Sequence, residues 1–215
     1  EKEMIGFWLS GHPLDMFRET IKTFVNFEIK EFKSLEEHID KEICFAGVIV
    51  SIKKGVNKNG NPYSSFVIED ASGSYEFFLN GKKYVAYGDF CKENIFVLIK
   101  AVIKPAWKDN TKLEVQIEKM ELLEDVVEKY IDSISLSMSI SRITEGNVKT
   151  LSKVCKKAKG KTKLNITVID DEDSEIALSM KSKKVKVNAE KFVEELKKES
   201  SLSNCISYRF NKMPF

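Results

Sequence analysis

The sequence predicts an α+β, multidomain chain: a helical stub at residues 1-40, a five-stranded β-barrel at 41-125 and a small α/β domain at 126-215. Three observations predict this layout. Apolar residues recur at helical spacing near the N-terminus, the period changes to that of strands at Glu42, and strands alternate with helices after Tyr130. A length of 215 residues leaves room for one large domain or two small ones, each with its own core.

The stub consists of two predicted helices and a connector. Apolar residues recur at helical spacing from Met4 to Leu9, and Gly11 followed by Pro13 ends this helix, because glycine tolerates positive φ and proline cannot extend the hydrogen-bond pattern. A second helix is predicted from Asp15 to residue 26. An irregular connector follows, and its apolar residues are expected to cover the edge of the barrel. They are Phe27, Ile29, Phe32 and Leu35.

The barrel is predicted from runs of β-branched and aromatic residues separated by Gly, Asn and Pro. The five predicted strands are residues 43–53, 64–69, 75–80, 94–104 and 112–122. The step from Asn59 to Gly60 favours a hairpin turn between the first two strands, and a short helix is expected within 81–90. Three strands, a helix and two strands follow the order of an OB-fold barrel.

Alternation along the second and third strands predicts which side chains face the core. Phe66 and Ile68 share one face of the second strand, and Phe77 shares a face with Tyr75 and Leu79 in the third. These richer apolar sets are the predicted core. Phe78 is then an exposed aromatic on the outer face, although a buried position under the N-terminal helices stays open.

OB folds bind oligonucleotides across the second and third strands, where the first and last hairpin loops close on the ligand. Aromatic rings stack on any base, and ammonium groups follow the phosphates without reading sequence. The predicted single-stranded DNA site is Lys53, Lys54, Lys58, Tyr63, Phe78, Trp107 and Lys108. The alternative is that Trp107 caps the barrel and the loop lysines only keep the surface soluble.

The last third has the pattern of a small α/β unit. Strands are predicted at 134–140, 163–169, 175–179 and 205–209, and helices at 145–158 and 189–198. The first helix is expected to face the core with Val148, Leu151, Val154, Cys155 and Ala158. The acidic run from Asp170 to Asp173 lacks the spaced ligands and the glycine of a calcium loop, which favours a solvated hairpin tip.

Composition restricts the function classes. The net charge is −4 over residues 1–40, zero over 41–125 and +6 over 126–215, so the C-terminal end could attract nucleic acid or an acidic partner. No apolar run is long enough to span a membrane, and no secretory leader is visible. Four separated cysteines and two histidines favour reduced thiols over a metal site. We expect a cytoplasmic protein without a bound cofactor.

Four segments resemble one protein family. Residues 1–14, E-K-E-M-I-G-F-W-L-S-G-H-P-L, closely resemble the segment that leads from the fingers side of bacterial replicative DNA polymerase III alpha subunits into their C-terminal region. Residues 46–50 and 68–76 are similar to the OB-fold strands of that family, and 185–188 to its C-terminal domain. The resemblance implies a C-terminal fragment preceded by the remainder of the polymerase chain.

The resemblance also implies partners and chemistry. It implies single-stranded template DNA bound by the OB fold and the clamp-loader tau subunit docked by the C-terminal domain. The family's catalytic carboxylates, which hold magnesium in the full-length DNA polymerase, precede this segment, so no catalytic residue is expected here. One alternative is a structural docking module of the replisome whose barrel does not bind DNA. Another is a tRNA-binding or synthetase anticodon module, which would not explain residues 11–14.

Overall fold

The structure is a computed structural model that describes residues 12–106 and 109–215. Its contacts divide the chain into two compact units, Glu1–Val126 and Val127–Phe215. Each unit is built on one β-sheet, which gives the chain the α+β class that its sequence predicts. The longest helix in the described ranges has 13 residues, and none could cross a membrane.

The sheet of the first unit has five strands in the order β3-β2-β1-β4-β5, and all neighbours are antiparallel. The strands are β1 (Glu42–Val56), β2 (Pro62–Glu69), β3 (Ser74–Asn80), β4 (Phe96–Ala106) and β5 (Asp109–Leu122). Every predicted strand is present, and most extend beyond their predicted ends. The α-helices are α1 (Arg18–Phe24), α2 (Gly81–Tyr87) and α3 (Leu123–Tyr130), the last of which crosses the boundary between the units.

The structure corrects the prediction of a β-barrel. Within the described ranges the sheet has two edges, β3 and β5, and no strand pairing joins them. Helix α2 contacts the edge strand β5 through one side chain: the Tyr87 hydroxyl donates a hydrogen bond to the Glu118 carbonyl oxygen at 2.6 Å. The strand order is that of an OB fold, but the sheet curls around its core without closing.

The connector before β1 completes this core. Phe27 and Ile29 are 2% exposed and Phe32 is 7% exposed, so these connector residues are buried in the core and do more than cover an edge. Phe32 stacks on Tyr75 with ring centroids 4.2 Å apart and meets Phe45 edge-on at 5.1 Å. The connector is therefore part of the first unit's core. The first eleven residues of the predicted stub lie outside the described part of the chain.

One carboxylate holds the connector in place. In the turn between β2 and β3, Asp70 Oδ1 accepts the backbone N–H groups of Ser72 at 2.7 Å and Gly73 at 3.0 Å. Its other oxygen accepts the Ile29 N–H at 3.0 Å, and Ser72 Oγ accepts the Lys30 N–H at 3.0 Å. This turn belongs to the segment 68–76 that resembles the polymerase family, so Asp70 and Ser72 of that segment have a structural role.

The second unit has a mixed four-stranded sheet in the order β8-β7-β6-β9. Its strands are β6 (Ile131–Ser139), β7 (Lys159–Ile169), β8 (Ala177–Val187) and β9 (Ile206–Lys212), and its helices are α4 (Glu145–Lys157), α5 (Ala189–Lys198) and α6 (Ser200–Ser203). Only the β6–β7 pair is parallel. The acidic run after β7 forms the predicted hairpin tip, where the Asp170 N–H donates to the Ile176 carbonyl oxygen.

Helices α4 and α5 supply the buried side chains that face the sheet. Both are capped, since Thr144 Oγ1 accepts the Asn147 N–H and Asn188 Oδ1 accepts the Lys191 N–H. The buried residues of these two helices are Val154, Ala189, Phe192, Val193 and Leu196. The predicted inward position of Val148 is wrong: it is 53% exposed, because no described element covers the first turns of α4 on that side.

We predict that Asp70→Ala lowers the free energy of unfolding by about 1–3 kcal/mol, because it leaves charge-assisted hydrogen bonds to three backbone N–H groups unmade. Asp89→Ala is the matched control, since Asp89 is exposed and accepts no hydrogen bond that the structure describes. Urea unfolding followed by far-UV circular dichroism measures both. Equal stability of the two variants would contradict this role of Asp70.

Candidate nucleic-acid interface

The outer face of the β1–β2–β3 hairpins carries the candidate site. Residues paired directly across neighbouring strands point to the same side of a sheet. One row joins Lys53, Ser65 and Phe78, because Lys53 pairs with Ser65 and Ser65 pairs with Phe78. The opposite face of the same strands is the core, where Phe66 is 1% exposed and Phe77 is 5% exposed.

The next row of the outer face joins Gly55, Tyr63 and Asn80. The rings of Tyr63 and Phe78 lie side by side, with centroids 5.1 Å apart and planes inclined by 33°. Phe78 is 56% exposed and Tyr63 is half-buried, so the pair presents aromatic surface to solvent. Of the two positions that the sequence left open for Phe78, the structure shows the exposed one.

Gly55 makes room for this aromatic pair. A Cβ at residue 55 would lie 2.7 Å from the Tyr63 hydroxyl oxygen and 2.8 Å from Cζ, so the ring of Tyr63 lies directly across the β1 backbone. A glycine within a strand often marks such a close approach. The sequence interpretation treated Gly55 as part of a loop and missed this role.

The predicted lysines do not all share one surface. Lys53 and Lys54 both lie in β1 rather than in the loop, and as consecutive strand residues they point to opposite sides. Lys53 is on the aromatic face, whereas Lys54 pairs with the buried Ser64 on the core side. The structure therefore places Lys53, but not Lys54, on the same face as Phe78, with Ser65 of β2 between them.

Lys58 lies in the turn between β1 and β2. Asn57 orders this turn, since its Oδ1 accepts the N–H groups of Asn59 at 2.9 Å and Asn61 at 3.0 Å. Gly60 adopts a φ of 79°, a conformation that glycine takes without steric cost. Lys58 is exposed at the tip of this ordered turn.

Two predicted site residues, Trp107 and Lys108, lie outside the described residues.

On the aromatic face itself, the next row contains Glu76, an exposed carboxylate that pairs with Val67. Glu76 limits the positive charge of the face. In ranges 12–106 and 109–215, no group of three or more His, Cys, Asp or Glu side chains is placed to hold a metal ion.

This geometry has a defined chemical capacity. An exposed aromatic pair can stack on one or two bases, and a neighbouring ammonium group can contact a phosphate. Neither interaction reads base identity. The face is therefore suited to a single strand of any sequence, bound more weakly as the salt concentration rises.

Comparison with known proteins finds similarity to one family. Residues 134–207 match the family model of the DNA polymerase III alpha subunit, C-terminal domain. The chain is 30% identical over 103 residues to DNA polymerase III subunit alpha of Mycobacterium tuberculosis (strain CDC 1551 / Oshkosh), covering 48% of this chain and 9% of that protein. It is 27% identical over 146 residues to the same subunit of Borreliella burgdorferi, covering 67% and 12%.

The chain thus spans about a tenth of the length of these curated relatives. Among solved structures, it is similar to the second OB-fold domain of replication protein A from Methanococcus maripaludis, with 17% identity and coverage of 46% of this chain and 94% of that one. The TM-score is 0.30, which is too low for this likeness to carry an argument about the site.

We predict that Gly55→Ala displaces the Tyr63 ring at little cost in stability, because the conflicting atoms are the far end of a flexible side chain. NMR should show weaker nuclear Overhauser contacts between the ring protons of Tyr63 and Phe78. Gly73→Ala is the control, since the nearest atom to its added Cβ would be 3.9 Å away. Unchanged ring contacts in Gly55→Ala would contradict the proposed role of this glycine.

Proposed function

Because this chain is a relative of bacterial DNA polymerase III alpha subunits and resembles their C-terminal region, we propose that it is a non-catalytic replisome fragment with two tasks. The first unit binds single-stranded template DNA. The second unit docks the clamp-loader tau subunit. The remainder of a polymerase chain would precede residue 1 and contain the catalytic site.

One observation carries the DNA-binding proposal, namely the exposed Tyr63–Phe78 pair on the face of β1, β2 and β3 that also bears Lys53. Two aromatic rings side by side on an open sheet face form a surface on which unpaired bases can stack. Lys58, at the tip of the adjacent turn, would contact the phosphate backbone of the same strand.

The small number of positive groups on this face favours weak binding. Lys53 and Lys58 offer two phosphate contacts, and Glu76 opposes them. For single strands each contact contributes about −0.7 to the slope of log K against log salt. Weak, sequence-independent binding suits a template that has to move past the protein. A face with so few positive groups is also what the second candidate function requires, namely a docking module without DNA affinity.

The second unit supports a protein-docking role through its exposed apolar surface. Leu178 is 64% exposed, Val148 53%, Met180 45% and Val185 40%. Several such residues in one unit of 89 residues are typical of an interaction surface. We propose the tau subunit as the partner because the resemblance to the polymerase family implies it.

The remaining properties follow from the same proposal. The fragment would use no cofactor of its own, and the magnesium of DNA synthesis would be held by the preceding polymerase region. The whole protein would be a DNA-directed DNA polymerase, a nucleotidyltransferase, in the bacterial cytoplasm.

We predict that the chain binds labelled oligo-dT in fluorescence anisotropy at low salt and that binding weakens as salt rises. Phe78→Ala should weaken binding by about 1–3 kcal/mol per stacked base. Met16→Ala is the matched control, because Met16 is 61% exposed and Phe78 is 56% exposed. No binding at high micromolar protein would favour the docking module.

We also predict that Lys53→Glu weakens oligo-dT binding more than Lys54→Glu, because the two side chains point to opposite faces of β1. Lys41→Glu, at the other end of the strand, controls for the change in net charge. The same titration measures all three variants. Equal losses for Lys53→Glu and Lys41→Glu would show that net charge, rather than the aromatic face, governs binding.

For the partner, we predict that immobilised chain captures purified tau subunit in surface plasmon resonance. Phe78→Ala and Lys53→Glu should retain this binding, since both residues lie in the first unit. Chain that is saturated with oligo-dT should capture the same amount. A complete failure of the wild-type chain to bind tau would refute the assignment of this partner.

A further inference from the structure

An open groove of about 640 Å³ lies beside α4 in the second unit. Val148, Leu151 and Cys155 of α4 form one wall, at the spacing that puts residues on one helical stripe. Leu164 and Ile166 of β7 form the floor. The groove is thus aliphatic along its length, and its α4 stripe differs from the buried stripe that contains Val154.

A bulge in the edge strand β8 forms the opposite wall. Lys163 pairs with Lys186 and Asn165 pairs with Lys181. Between these two pairs β7 advances by two residues and β8 by five. The extra residues, 182–185, leave the ladder, and Ser182 Oγ accepts the Val185 N–H at 3.0 Å within the bulge. Ser182 and Val185 line the groove. A regular strand could not pair along an edge that is interrupted in this way.

The apolar surface continues from the groove along β8. Met180 pairs with Ile166 of the floor, and Leu178 pairs with Val168, so both share the face of the sheet that the floor occupies. Leu178 and Met180 are 64% and 45% exposed. No helix among the described residues covers this end of the sheet face.

The charges around the groove have one sign. Lys156, Lys159, Lys184 and Lys186 line it, and its lining contains no Asp or Glu. All four lysines are exposed, and none forms an ion pair with a residue that the structure describes. An occupant with carboxylates beside an aliphatic stripe would match both features.

The chemistry of the walls decides between classes of partner. Binding of single-stranded nucleic acid relies on aromatic platforms, and the lining of this groove has no aromatic side chain. Strand addition is disfavoured by the bulge in β8. A helix, in contrast, contacts a groove through side chains alone at i, i+3, i+4 and i+7, and two helical stripes pack well against each other.

We propose that the groove between α4 and the bulge of β8 is the docking site for an acidic amphipathic helix of a protein partner. Its aliphatic stripe packs against Val148, Leu151 and Ile166, and its carboxylates face the four lysines. This inference rests on the proposed protein-docking role of the second unit and specifies the site and the chemistry of the segment that it accepts.

Fluorescence anisotropy with synthetic peptides of about 18 residues, roughly five helical turns, tests the proposal on the full chain. The probe carries leucines on one helical face and glutamates on the others. One comparison peptide replaces every glutamate with lysine, and another scrambles the order so that the leucines share no face. We expect the acidic amphipathic peptide to bind at least tenfold more tightly than either comparison peptide.

Variants then locate the binding. Val148→Asp and Lys184→Glu should each weaken the acidic peptide about tenfold. Their matched controls are Ile176→Asp, at an exposed aliphatic residue outside the groove, and Lys183→Glu, at the neighbouring exposed lysine that does not line it. Both controls should bind as the wild type does. Circular dichroism checks that each variant is folded.

Three results would overturn the proposal. The first is that the acidic peptide does not bind, or binds no more tightly than the comparison peptides. The second is that both groove variants bind the acidic peptide as the wild type does. The third is that those variants lose oligo-dT binding, which would make the groove a nucleic-acid site. The tau measurement separates the two levels of inference. If tau binds the wild type and both groove variants equally, the docking role stands and the groove assignment fails. If the acidic peptide needs the groove but tau does not bind, the groove stands and the partner assignment fails.

Discussion

The burial of one face of β2 and β3 determines both the core and the candidate site of the first unit. Phe66, Ile68, Phe77 and Leu79 are between 0% and 5% exposed, packed into a cluster that also contains Phe45. Because side chains alternate along a strand, a core this rich in aromatic residues fixes the register, and a slip by one residue would expose all of it. Tyr63 and Phe78 then have to point outward. The aromatic face is a geometric consequence of the core.

The open sheet needs a cover, and the connector before β1 supplies it. Phe32 stacks on Tyr75 and meets Phe45 and Phe77, so one side chain joins the connector to two strands, β1 and β3. Asp70 holds this arrangement from outside the core, since it accepts hydrogen bonds from its own turn and from the connector. Aromatic packing and the hydrogen bonds of one turn thus fix the connector against the sheet.

The sequence predicts the strands and the helix α5 well, because each depends on local periodicity. For Phe78, alternation favours the outer face but does not exclude a covering element, so only the structure shows that it is exposed. Barrel closure depends on whether the distant strands β3 and β5 pair, and periodicity contains no such information. The separation of Lys53 from Lys54 follows from alternation once β1 is known to continue to Val56. Val148 was misassigned because α4 has two apolar stripes, and hydrophobicity alone does not say which of them the sheet covers.

On the two candidate surfaces, the side chains around each lysine distinguish the two proposed partners, whereas the positive charge itself does not. Residues 126–215 have the larger basic excess, yet their lysines surround an aliphatic groove without rings on which a base could stack. Residues 41–125 are neutral overall, yet Lys53 shares a sheet face with an exposed aromatic pair. Coulomb attraction brings any anion to either surface and is screened by salt. The short-range contact then selects, since aromatic faces favour bases and branched aliphatic walls favour the apolar stripe of a helix.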